Sequence, residues 1–198
     1  MKAKTRNQVI AVTVFVLVGL LMKLLESLAG EKLGFSMSVI LPVMLGGFTY
    51  TFLSNVSGTR KEAKPDHAAR ADALNFAVPA GRARVYILRT GFLGKAVGMD
   101  ITVDGHAVAQ LKSPRFTVVD VAPGAHEWRA RFSGGAGAQQ NGDCIAQINV
   151  AAGSAIVLRV STKLALTKHR LLFAEVPLDS ARAEMTRAIM VVADKLAW

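Results

Sequence analysis

Residues 83–132 read ARVYILRTGFLGKAVGMDITVDGHAVAQLKSPRFTVVDVAPGAHEWRARF, and this stretch decides the fold. Its apolar residues come in short β-branched and aromatic runs cut by turn signals every 8 to 12 residues or so, the pattern of an antiparallel sandwich or barrel. The runs predict strands at 83–89, 99–103, 107–111, 116–121 and 126–132. Asp104-Gly105 is a two-residue hairpin signal in which glycine supplies positive φ, and Pro123-Gly124 suits a tight reversal. Beyond Phe132 the same logic predicts a loose polar loop at 134–142 and strands at 144–150, 155–161 and 170–175.

Working outward, the tail predicts a helix over 179–197, with Pro177 before it and Asp179 as its cap. Met185, Ile189, Val192 and Leu196 share one face, opposite Arg182, Glu184 and Arg187, so the helix should close the open face of a sheet. Met185 and Ile189 on that face are also candidates for contact with a partner or with lipid. Upstream, residues 54–81 combine Ser, Gly, Pro65 and Pro79 with a helix-prone polar stretch, which reads as a spacer carrying one short helix with Pro65 in its first turn.

The amino-terminal 53 residues obey a different physics. Val9 to Met22 carries no charge, and Leu24 and Leu25 extend the run to about the 17-residue minimum for a spanning helix. Lys23, near its end, suits an interfacial lysine whose ammonium reaches the headgroups. Leu33 to Leu53 is a second uncharged run, with Pro42 and Gly46-Gly47 within it and Phe48, Tyr50 and Phe52 at the aromatic-belt position. The segment from Glu26 to Lys32 is too short for anything but an antiparallel hairpin. Lys2, Lys4 and Arg6 before the pair, and Arg60, Lys61 and Lys64 after it, place both ends in the cytoplasm by the positive-inside rule. Ser27-Leu28-Ala29 resembles a weak signal-peptidase site, although cleavage there would leave the second span in place. The organisation read from sequence is a transmembrane hairpin over 1–53, a linker over 54–81 and an all-β sandwich with a carboxy-terminal helix over 82–198.

Ala83 to Arg89, Gly91-Phe-Leu-Gly94, Ile101-Thr-Val-Asp-Gly105 and Phe116 to His126 together resemble the bacterial domain of unknown function 2846, which in turn is similar to small PEGA-type surface β-domains. The likeness covers roughly Arg82 to Val176. It implies a small β-sandwich on a bacterial envelope protein and no established activity. The helix hairpin departs from the lipoprotein form of many relatives. With that hairpin, the expected location is the bacterial inner membrane, multi-pass, with the domain in the cytoplasm.

Composition narrows the function classes. The formal charge of +10 is spread evenly, with 8 basic and 3 acidic residues in 1–64 and 16 and 11 in 65–198. Aromatics make up 7 % of the chain and do not interleave with a basic stripe, which argues against nucleic acid. Cys144 is the only cysteine, so neither an intrachain disulfide nor a thiolate metal cluster can form, and it reads as a small core residue. His67, His106, His126 and His169 show no metal-ligand spacing, and His126 reads as a packing residue of the Pro-Gly turn. Gly91 to Gly98 lacks the spacing and the following helix of a phosphate loop, and Asp100, Asp104 and Asp120 fall at turns and strand ends. No catalytic residue, metal, cofactor or small-molecule substrate is indicated.

The candidates that remain are basic. Arg82 with Arg84, and Arg129 with Arg131, lie at spacing two on single strand faces; Arg159, Lys163, Lys168 and Arg170 could join them in a basic surface for headgroups or an acidic subunit. The expected function is therefore a non-enzymatic, membrane-anchored accessory or scaffold protein that works in a membrane complex or as a homo-oligomer. The alternatives are a small oligomeric transport component built around Pro42 and Gly46-Gly47, or an enzyme of unknown chemistry.

Overall fold

The computed structural model describes residues 3–30, 32, 34–56, 60, 63–91, 95, 97–134, 142–163 and 170–194. They fall into two compact units, Met1–Ser57 and Gly58–Trp198.

In the first unit, helix α1 (Ala3–Ala29) packs against a π-helical turn (Ser36–Ile40) that runs into helix α2 (Leu41–Val56). Thr5–Ala29, with mean hydropathy 2.4 over its most apolar window, and Ser36–Ser54, with 1.5, are both long and apolar enough to cross a membrane. Pro42 has no N–H to donate, and the helix absorbs this in the wide turn just upstream, where the Leu41 N–H reaches the Ser36 carbonyl. Gly46 is where the helices touch: a Cβ there would lie 3.1 Å from Phe15 Cβ and 3.3 Å from the Ala11 carbonyl oxygen. The hydroxyls of Thr13, Thr49 and Thr51 bond back to carbonyls four residues earlier, so they leave no unmet polar group on the apolar surface. Glu26, which sequence placed in the turn, lies within α1, where its carboxylate takes Lys23 at 2.6 Å and the Ser38 hydroxyl at 2.8 Å. Leu17, Leu20, Met44 and Phe48 stay 60 to 70 % exposed on this pair of helices.

The second unit contains helix α3 (His67–Asn75), strands β1 (Ala83–Arg89), β2 (Met99–Val103), β3 (His106–Leu111), β4 (Arg115–Val121), β5 (Gly124–Phe132), β6 (Cys144–Val150), β7 (Ala155–Lys163) and β8 (Arg170–Val176), helix α4 (Leu178–Arg187) and the short strand β9 (Ile189–Met190). Every strand read from sequence is present, with ends shifted by at most two residues. They form a five-stranded sheet ordered β8-β7-β1-β4-β9 and a four-stranded sheet ordered β3-β2-β5-β6. Val85, Ile87, Val119, Val121, Leu158 and Val160 of the first sheet meet Met99, Ile101, Val103, Leu111, Trp128 and Phe132 of the second in one core.

The pairing is mixed where the sequence suggested antiparallel: β1 lies antiparallel to β4 but parallel to β7, and β9 runs parallel to β4. Between β1 and β7 the chain builds the whole four-stranded sheet, so it returns to β1 through a long crossover and need not reverse. The Asp104-Gly105 turn is as expected, with φ of 48° and 81° joining β2 to β3.

The largest departure lies at the carboxy terminus. The helix stops at Arg187 instead of continuing to 197; Ala188 is extended (φ −79°, ψ 156°) and Ile189-Met190 pairs with β4. The β-branched run Ile189-Met-Val-Val192 favours an extended chain once a sheet edge is available, and Val191 N–H donates to Phe116 O while Asp194 N–H donates to Val108 O. The tail thus runs from the edge of one sheet to the edge of the other. Asp179 does not cap α4, whose cap position is held by Pro177; it sits in the first turn, where its charge suits the helix N-terminus. Leu196 lies outside the described residues.

The helix in the expected spacer is part of this unit. Asp66, after Pro65, caps α3 by accepting the Ala69 N–H at 2.7 Å. Phe76 ends it at φ 61°, held 5.0 Å from the Tyr86 ring and beneath the Arg182 guanidinium at 4.3 Å. Ala73 and Phe76 join Ala181, Met185, Tyr86, Leu88 and Phe116 in a second core on the outer face of the five-stranded sheet. Met185 is fully buried there and so cannot meet a partner at the surface, whereas Ile189 is 51 % exposed. Met185→Ala should lower unfolding free energy by about 2–5 kcal/mol, and Ile189→Ala by well under half of that, in a denaturant titration of the full chain in detergent.

Candidate functional site

The basic residues singled out in the sequence divide among separate surfaces. Arg84, on β1, turns toward the helix layer and is 6 % exposed. It clasps both carboxylate oxygens of Asp120, its partner across β1 and β4, at 2.8 and 3.0 Å, and reaches Asp72 of α3 at 3.1 Å. The hydrogen bond to Asp120 raises its pKa further, against the opposing effect of burial. Arg84 is therefore a clamp between sheet and helix and no longer a contact candidate. Arg159, on β7, donates to Glu184 of α4 and does the same at the other helix. Arg82 is half-buried just before β1. Lys163 and Arg170 are exposed and directly opposite at the ends of β7 and β8, and Lys168 lies outside the described residues.

Arg129 and Arg131 do come together, on the outer face of β5. The registers align Gln110, Asp100 and Arg131 across β3, β2 and β5, and place Thr102 beside Arg129 in the next row. With Arg60, these residues border an open cleft of about 560 Å³ whose lining also includes Gly105, Ala107 and Ala109. Arg129 donates to Glu127 at 3.1 Å and Asp143 at 3.3 Å, and Arg60 to Asp194 at 3.2 Å. Arg131 is exposed and has no acidic partner within ion-pair distance among the described residues.

Gln110 organises this wall although nothing in its sequence context marked it. Its side-chain oxygen accepts the Arg60 N–H at 2.5 Å and its amide donates to Asp100 at 2.8 Å. Gly98 makes room for it, since a Cβ there would lie 2.7 Å from Gln110 Cδ and 2.9 Å from Ser133 Oγ. The single signal in the sequence was that glycine, one of several in the 91–98 loop. Phe92 to Gly94 of that loop, residues 135–141 of the later loop, and His169 lie outside the described residues.

A buried arginine was also not marked by the sequence. Arg89 is 2 % exposed, donates to the carbonyls of Val97 at 2.7 Å and of Leu111, and lies 5.7 Å over the Phe132 ring. Burial lowers its pKa to about 10. The Cys144 thiol is half-buried and pushed up by desolvation, as a packing residue would be. Among the described residues no three His, Cys, Asp or Glu side chains gather as metal ligands would. The chain matches no family model and no curated protein.

His126 packs the Pro-Gly turn with both ring nitrogens engaged, Nδ1 at 2.6 Å from Asp104 and Nε2 at 2.8 Å from the Ala122 carbonyl. Two acceptors call for a doubly protonated ring. Burial opposes that charge, but the hydrogen bonds to Asp104 and Ala122 and the charge of Asp104 prevail, so the imidazole pKa is raised above 6.5. Asp104 moves down from 3.8: burial opposes ionisation, while hydrogen bonds from His126 and the Glu127 N–H outweigh it. The imidazolium stabilises the fold fully below its unfolded pKa of 6.5 and ceases to as pH rises through its raised folded value. The carboxylate contributes above 3.8 and ceases to as pH falls through its depressed value. Melting temperature measured across about pH 5 to 9 should therefore fall on the alkaline side in the parent chain, and His126→Gln should flatten that fall.

Proposed function

We propose that this chain is a membrane-anchored, non-catalytic accessory or scaffold protein. In this reading α1 and α2 span the bacterial inner membrane, and the two sheets form a β-sandwich held at its cytoplasmic surface. The domain then presents the outer face of β3, β2 and β5 to a partner protein or to lipid headgroups. The resemblance to the domain of unknown function 2846 belongs to the same proposal.

The observation that carries the reading is the open cleft itself. Arg129, Arg131 and Arg60 border a concave sheet face whose other polar groups are an amide, a hydroxyl and one carboxylate already engaged by Gln110. Such groups hold a ligand by charge and hydrogen bonds. The large apolar side chains left exposed on α1 and α2 support the anchor, since water would leave that surface unsatisfied and lipid would cover it.

Two measurements test this. With Cys144→Ser and a single cysteine at exposed Ser180, a membrane-impermeant thiol reagent should label the chain only after the inner membrane is opened; earlier labelling places the domain on the other side. Crosslinking in native membranes should trap a different protein or a lipid, and the yield should drop with Arg129→Glu/Arg131→Glu while the melting temperature stays within a few degrees. Trapping copies of the chain alone would overturn the scaffold in favour of an oligomeric transport component.

A further inference from the structure

We propose that the cleft bordered by Arg60, Arg129 and Arg131 is a binding site for the phosphate of an anionic phospholipid headgroup, taken from the same membrane that α2 enters. The proposal rests on the reading of α1 and α2 as an anchor and narrows what the domain recognises.

The first argument is reach. Arg60, whose backbone N–H is bonded to Gln110 on the cleft wall, stands four peptide steps after Val56, the last residue of α2. Four steps span at most ~14 Å when fully extended, whatever path the chain takes. The cleft residue Arg60 is therefore joined to the end of α2 by a tether of only three intervening residues. A tether that short keeps headgroups at high effective concentration, an advantage a freely diffusing acidic peptide lacks.

The second argument is the chemistry of the walls. Guanidinium groups offer planar donor pairs matched to phosphate oxygens. Arg131 is exposed without an acidic partner in ion-pair range among the described residues. Arg129 and Arg60 are 41 % and 53 % exposed and hold their carboxylates at 3.1 to 3.3 Å, the kind of surface pairs that contribute little and exchange readily for a phosphate. The one carboxylate on the floor, Asp100, accepts the Gln110 amide, and this hydrogen bond disperses part of its charge. Small residues such as Ala107 leave a volume of about 560 Å³, room for a phosphodiester together with its polar alcohol.

The test uses the full chain in nanodiscs, with benzoylphenylalanine replacing Ala107 at the exposed rim of the cleft and, separately, Ser180 on α4. Incorporation into the disc is checked first by alkaline extraction. Irradiated in discs containing phosphatidylglycerol, the Ala107 probe should yield a one-lipid mass adduct far more than in phosphatidylcholine discs, with no such preference at Ser180. Neutralising Arg129 and Arg131 to Gln should lower the adduct roughly 30-fold, the expected worth of two well-placed cations near an anionic surface, and 0.5 M salt should lower it in the parent chain as well. Equal yields in the two lipids, in a chain that has incorporated, overturn the headgroup site and leave the anchor standing. A chain that fails to incorporate overturns both. An adduct in native membranes with an acidic protein in place of lipid reassigns the cleft to a protein partner.

Discussion

Strand β1 buries all seven of its residues because a core lies on each of its faces, and the rest of the second unit is arranged around that condition. Val85 and Ile87 point into the space between the sheets, while Tyr86 and Leu88 point toward α3 and α4. A strand placed in this way must be central, so β4 and β7 flank it. Its helix-side face must also be covered. The supposed spacer helix and the carboxy-terminal helix supply that cover, and the Tyr86 hydroxyl ties one of them down through the Ala73 carbonyl at 2.8 Å.

Arginine does three different jobs in this arrangement, and burial separates them. Arg84 and Arg159 bond the sheet to its helices through carboxylates, and Arg89 sits deeper, solvated by carbonyl oxygens in place of water. Arg84 and Arg89 are costly to bury and are held by the acceptors they reach, while Arg159, partly exposed, leaves its buried Nε without a partner among the described residues. Arg129 and Arg131 remain near water, where their charge is available to an incoming anion. The basic surface expected from the sequence is thus smaller than the count of arginines, since Arg84, Arg89 and Arg159 are engaged within the domain.

The terminal segment shows how an edge can override a periodicity. Residues 185–196 carry helical spacing, but the open edges of β4 and β3 offer unpaired backbone groups, and the chain from Ile189 onward satisfies them in turn. The same segment positions Asp194 to hold Arg60, so the closing of the sheet edges also shapes one end of the cleft.

The sequence by itself determined the elements whose causes are local: two uncharged apolar runs that form helices, eight strands from the period of two, the Asp104-Gly105 turn, and the packing role of His126. It also brought Arg129 and Arg131 onto one face, because residues two apart on a strand must share it. Tertiary structure alone decided the parallel pairing of β1 with β7, the end of α4 at Arg187, the burial of Met185 and the assignment of Arg84 to the interior. It also recruited Gln110 and Arg60, 50 positions apart, to one wall. Each of these depends on which surfaces remain uncovered once the sheets have met, and a one-dimensional pattern carries no record of that.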